Sequence, residues 1–83
     1  MQQQEKTLAA FVRILEVVTS VNRADVTGDK RLREDLGIDS LSLIDVAIAA
    51  EDEFEIRIRD EDLEHFETVT DAIKYICGAT GIA

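Results

Sequence analysis

Leu8, Phe11, Val12, Leu15 and Val18 recur at offsets of 3, 4, 7 and 10 residues. That spacing puts them on one face of an amphipathic helix and predicts a helix over residues 4–19. Apolar residues at helical spacing return in 40–54 and again in 69–77. Only Phe54-Glu55-Ile56-Arg57-Ile58-Arg59 alternates as a strand would, and no second alternating segment exists to pair with it. A lone strand is not stable, so the stretch reads as an extended link with Arg57 and Arg59 facing outward. The chain is thereby confined to packed helices, and the absence of proline leaves them without internal breaks. The expected fold is all-α: an antiparallel four-helix bundle of three longer helices and one short one.

The remaining elements follow from local chemistry. Residues 20–39 form a long connection between the first two helices, with turns at Thr27-Gly28-Asp29 and at Gly37. Val26, Leu32, Leu36 and Ile38 are its expected anchors in the core. The short helix is expected at 60–66, capped by Asp60 and packed through Leu63 and Phe66. Thr68 with Asp71 resembles a capping box, which opens the last helix at 69–77 on Val69, Ala72, Ile73, Ile76 and Cys77. Gly78 is its expected stop, with residues 79–83 fraying.

The second helix carries two apolar stripes. At about 100° per residue, Leu43, Val46, Ala47, Ala50 and Phe54 fall within roughly 80° of one another and form the core stripe. Leu41, Ile44 and Ile48 form another, about 130° away, flanked by Asp45, Glu51 and Asp52. A helix that buries one face needs one stripe. The second is either covered by the long loop, an option more open at Ile44 than at Leu41 or Ile48, or left exposed. We favour exposure: an apolar strip rimmed by carboxylates has the anatomy of a protein-docking surface.

Eighty-three residues suffice for one small core, so the chain reads as a single domain over 1–83. A net charge of -9 and a pI near 4.4 argue against nucleic acid and anionic membrane surfaces as partners. One cysteine, Cys77, cannot form an internal disulfide, and the polar Met1-Gln2-Gln3-Gln4-Glu5-Lys6 lacks the apolar run of a signal peptide. With no membrane-length apolar stretch, the expectation is a cytoplasmic, free-standing monomer without membrane insertion.

Candidate chemistry concentrates at Leu36-Gly37-Ile38-Asp39-Ser40-Leu41-Ser42-Leu43. Asp39 is a good N-cap, and Ser40 takes the first helical position, where backbone N–H groups lack partners within the helix. A phosphate on Ser40 would sit at the positive end of the helix dipole. No Lys or Arg occurs between Ser40 and Ile56. Taken alone, an Asp-Ser pair is an ordinary helix start. Elsewhere the sequence argues against catalysis. The glycines at 28, 37, 78 and 81 form no phosphate loop, and Asp25 to Asp29 lacks the ligand spacing and closing Glu of a calcium loop. His65 and Cys77 stand too far apart for a zinc pair, so no structural metal is expected. A Ser40–His65 dyad would want an orienting acid and a water-excluding pocket. The chain is expected to be no enzyme.

These residues resemble the acyl carrier proteins of fatty-acid and polyketide synthesis. The family signature of leucine, glycine, any residue, aspartate, serine and leucine stands here as Leu36-Gly37-Ile38-Asp39-Ser40-Leu41. The likeness extends from about Leu8 to Ile76, through Glu51-Asp52-Glu53-Phe54, Ile58, Asp60-Glu61-Asp62 and Thr68 to Ile76. It implies that Ser40 receives 4′-phosphopantetheine from coenzyme A through a phosphopantetheinyl transferase with Mg²⁺, and that the arm's thiol carries acyl groups as thioesters. It also implies acyl-loading, ketosynthase or other synthase partners with basic docking patches. By position, Asp39, Leu41, Ile44, Asp45, Ile48, Glu51 and Asp52 would meet them.

In such families the acyl chain can shelter between the helices, and Ala47 and Ala50 at inward positions favour an internal pocket. Two departures bear on loop shape: Glu55 stands where the family often has glycine, and Arg59 where it often has proline. Ile38, in place of a second glycine, favours acyl over aminoacyl cargo. A stand-alone aminoacyl or aryl carrier and an unmodified acidic interaction module remain as alternatives.

Overall fold

The computed structural model describes residues 2–80, with side chains from Glu5 onward. Four α-helices succeed one another: α1 (Gln2–Thr19), α2 (Ser40–Phe54), α3 (Asp60–Leu63) and α4 (Val69–Thr80). α1 packs against both α2 and α4. Among the described residues there is no strand, only an isolated antiparallel bridge between Arg31 and Thr68. The bundle of three longer helices and a short one is therefore the architecture that the apolar spacing demands. No described helix is long and apolar enough to cross a membrane.

The core collects Phe11, Ile14 and Leu15 of α1, Leu43, Val46 and Ala50 of α2, and Val69, Ala72, Ile73, Ile76 and Cys77 of α4. Leu8, Val12 and Val18 lie at its margin, half-buried, while Ile14, off the expected set, is buried. Removal of this apolar surface from water is the main driving force for the fold.

The long connection is more ordered than its turns suggest. It contains a single 3₁₀ turn at Arg23–Asp25, whose first free amide, on Ala24, donates to Asn22 Oδ1 at 2.9 Å. Val26, Leu32 and Ile38 are buried and Leu36 half-buried, as their apolar character requires. The loop is also sewn to the start of α4. Leu32 N–H donates to the Glu67 carbonyl at 2.9 Å, Val69 N–H to Lys30 at 3.0 Å and Thr70 N–H to Gly28 at 3.0 Å. Two N–H groups of the first turn of α4, which lack partners inside the helix, are thus satisfied by loop carbonyls. Thr68 and Asp71 complete the capping box reciprocally: Thr68 N–H donates to Asp71 Oδ2 at 3.0 Å and Asp71 N–H to Thr68 Oγ1 at 3.2 Å.

Three boundaries and one cap differ from expectation, the first being α1, which begins at Gln2 rather than residue 4. α3 is one turn long, ending at Leu63 rather than residue 66. Asp60 is its first helical residue instead of its cap; the cap position is Arg59, which makes no side-chain capping bond. Asp60, Glu61 and Asp62 instead favour this helix by placing negative charge in its first turn. α4 runs through Gly78 to Thr80, so Ala79 and Thr80 are helical; residues 81–83 lie outside the described residues. Glycine is tolerated there because the position is exposed and helical geometry needs no side chain.

Candidate functional site

Ser40 owes its position to the three residues before it. Ile38 is buried, and its N–H donates to the Leu32 carbonyl at 3.0 Å, so the loop closes on itself just ahead of α2. Gly37 turns the chain at φ 69°, a left-handed conformation that glycine adopts without a Cβ penalty. Asp39 then leaves the loop in an extended conformation (φ -79°, ψ 176°) and caps the helix. Its Oδ1 accepts the Ser42 N–H at 2.7 Å, and its carbonyl accepts the Leu43 N–H at 2.9 Å. The hydrogen bonds from Ser42, the backbone one foremost, hold the Asp39 carboxyl below its ordinary value, so it stays ionised at the cap.

With Ser42 and Leu43 satisfied, the Ser40 and Leu41 N–H groups remain at the mouth of the helix with no hydrogen-bond partner among the described residues. Ser40 itself is exposed, and its hydroxyl makes no hydrogen bond among those residues. A free hydroxyl beside two unclaimed amides fits a phosphodiester: the oxygen is open to esterification, and the amides face the charge that results.

Both stripes of α2 take the places expected of them. Leu43, Val46, Ala47 and Ala50 are buried and Phe54 is half-buried. Leu41 is 76% exposed, Ile48 58% and Ile44 45%, so the loop does not cover the second stripe. Asp45, Asp52 and Glu53 are exposed around it. Glu51 departs from the expectation. It is half-buried, and its Oε2 accepts the Ile58 N–H at 2.7 Å. One oxygen of its carboxylate thus ties α2 to the link before α3.

Ala47 and Ala50 do not open a water-sized cavity. The space they face, bounded by Phe11, Leu43, Val46, Ile58, Leu63, Phe66 and Ile76, has no room for a water molecule. Neighbouring side chains fill what the two alanines leave, as close packing of interiors demands.

The end of α2 explains one oddity of the sequence. Glu55 takes φ 54°, and its N–H and that of Ile56 both turn back to the Glu51 carbonyl. This is the left-handed helix ending where glycine is the usual occupant, here built from a glutamate. Sequence reading also missed a tie between α3 and α4: the Tyr75 hydroxyl lies 2.9 Å from Asp62 Oδ2 and 3.1 Å from the Arg57 carbonyl, with its ring 5.3 Å from that of Phe66. Burial first, and then the Asp62 carboxylate, raise its pKa above the ordinary phenol value. A half-apolar side chain with a polar tip at the edge of the α4 face is the signal that could have found it.

Comparison with known proteins agrees with this geometry. The family described as "Phosphopantetheine attachment site" matches residues 9–76. The meromycolate extension acyl carrier protein of Mycolicibacterium smegmatis is 41% identical over 73 residues, covering 88% of this chain and 74% of that protein. The acyl carrier protein of Acidothermus cellulolyticus is 38% identical over 77 residues, covering 93% and 92%. That of Rhodococcus erythropolis is 41% identical over 73 residues, covering 88% and 80%.

Proposed function

The chain belongs to the acyl carrier proteins of the phosphopantetheine attachment family, and from that premise we propose that Ser40 is the residue that carries the arm. The single observation behind the assignment is its exposed hydroxyl, unbonded among the described residues, at the start of α2. The arm, when attached, supplies a terminal thiol that holds acyl groups as thioesters. The chain's own residues supply the rest. Asp39 fixes the helix start, Gly37 and Ile38 hold the loop away from the hydroxyl, and the Ser40 and Leu41 amides offset the phosphodiester charge.

Attachment esterifies the Ser40 oxygen with the phosphopantetheinyl phosphate of coenzyme A. The pyrophosphate bond breaks, the nucleotide half leaves, and the serine proton passes to a base of the transferase. Partner enzymes, the transferase and the acyl-loading and condensing synthases, dock on Leu41, Ile44 and Ile48 and meet Asp45 and Asp52 with basic residues. Asp39, exposed at the head of α2, adds its charge to that surface and also caps the helix. Charge complementarity of this kind raises encounter rates, while a small apolar footprint keeps each complex short-lived. Carriage of acyl groups rather than aminoacyl or aryl groups accords with the names of the relatives.

Incubation with coenzyme A, Mg²⁺ and a promiscuous phosphopantetheinyl transferase should add one phosphopantetheinyl group by intact mass. Ser40→Ala should abolish the addition while its circular dichroism matches that of the parent. Addition to Ser40→Ala, or none to the parent beside an active control carrier, would reject the assignment.

A further inference from the structure

Val17 is 77% exposed, the most exposed large apolar residue of those described, and it lies on α1 rather than on α2. It borders a groove of about 240 Å³ between the two helices, floored by Ala10, Ile14 and Ala49 and rimmed by Arg13, Asp52 and Glu53. Arg13 is exposed and makes no ion pair among the described residues, although the chain carries a net charge of -9. Ala49 and Asp52 adjoin Ile48 along α2, so the groove is continuous with the Leu41, Ile44 and Ile48 stripe.

A stripe one helix wide and eight residues long, from Leu41 to Ile48, covers roughly 12 Å by 10 Å. That is a small part of the roughly 800 Å² per side of a standard interface. Including the exposed Arg13 and Val17 of α1 widens the footprint. The groove lies nine or more residues from Ser40, roughly 14 Å along the helix, beyond the serine itself.

We propose that the docking surface spans two helices: the α1/α2 groove receives an apolar side chain of a condensing synthase, beside an acidic residue that pairs with Arg13 and basic residues that pair with Asp52 and Glu53. The inference rests on the α2 docking reading above and extends it. Its mixed charge distinguishes this carrier from one recognised by acidity alone, because a partner that is basic throughout meets repulsion at Arg13. Val17 projects from an exposed helical position, so its replacement leaves the core intact.

The test uses the holo-protein and a β-ketoacyl synthase of the fatty-acid type, with affinity measured by calorimetry at low and physiological salt. Val17→Gln should weaken binding about fivefold to tenfold, Arg13→Glu by a similar factor that shrinks as salt rises, and Ile48→Gln about tenfold. Thermal melts of all three should stay near the parent's. Binding by Val17→Gln and Arg13→Glu within twofold of the parent, with Ile48→Gln weakened, would overturn the groove and leave the α2 reading standing. No loss in any of the three variants would overturn both. A concentration-dependent dimer in sedimentation that Val17→Gln disperses, with synthase affinity unchanged, would assign the groove to a second copy of the chain and overturn the proposal.

Discussion

Leu41 and Leu43 stand two residues apart on α2, and truncating each to alanine should have opposite consequences. Leu43 is 1% exposed and Leu41 76%. Removing a buried leucine costs about 2–5 kcal/mol in lost transfer energy and unfilled cavity. A chain of this size has about 4–12 kcal/mol of stability in total, so Leu43→Ala removes a large part of it. With an unfolding entropy of about 0.17 kcal/mol/K, a loss of about 3 kcal/mol lowers the midpoint by roughly 17 °C. Leu41→Ala buries almost nothing less than before and should shift the midpoint by no more than about 3 °C. Docking reverses the order. If a partner buries the three carbons that Leu41 loses, the change is about 2 kcal/mol, or roughly thirtyfold in kcat/KM with the transferase. Leu43→Ala, assayed where it is still folded, should stay within about threefold of the parent. Circular-dichroism melts and steady-state transferase kinetics on the two variants decide the matter. Equal stability losses would show that the second stripe is packed, and a Leu41→Ala variant with unaltered kinetics would show that it does not dock.

Other perturbations address single devices. Glu55→Gly relieves a left-handed residue and should raise stability by about 1 kcal/mol, a gain of roughly 4–8 °C by calorimetry; a drop would mean that the glutamate side chain does more than occupy the turn. Gly28→Ala places a Cβ 2.7 Å from Thr70 Oγ1, whose hydroxyl bonds the Gly28 carbonyl at 2.8 Å, so hydrogen exchange at Val69 and Thr70 should quicken; unchanged protection would show that the loop yields freely. Asp39 has its folded pKa lowered, so its contribution is complete above the ordinary carboxylate value of about 3.9 and is lost as pH falls through and below it. Asp39→Asn keeps the cap without the charge and should melt below the parent at pH 7, with the gap narrowing as pH falls below the ordinary carboxylate value; a gap independent of pH would remove charge from the explanation.

Much of this was legible in the sequence because helices advertise themselves by period. The offsets of Leu8 to Val18 and the two stripes of α2 follow from geometry alone, and the Thr68–Asp71 box needs residues only three apart. What stayed hidden depends on the backbone or on distant partners. The bonds that sew residues 28–32 to the start of α4 use carbonyls and amides common to every residue type, so no side-chain pattern records them. Glu51 looked like one more exposed carboxylate until the link after α2 brought the Ile58 amide to it. Gly78 resembled a stop because glycine so often ends a helix, yet nothing at that point required the chain to turn. Ala47 and Ala50 advertise space by size, but whether it is filled depends on Leu63 and Phe66, which arrive from elsewhere in the chain. Local chemistry places Ser40; tertiary packing decides which of its surroundings stay free.

The central claim is best tested by finding where the arm attaches. The chain has three serines, at 20, 40 and 42, and the last two share the first turn of α2. Fragmentation mass spectrometry of the transferase-treated parent should place the phosphopantetheinyl group wholly on Ser40, because Ser42 is half-buried and its amide is held by Asp39. A modified peptide whose fragments carry the group on Ser42 or Ser20 would contradict the account.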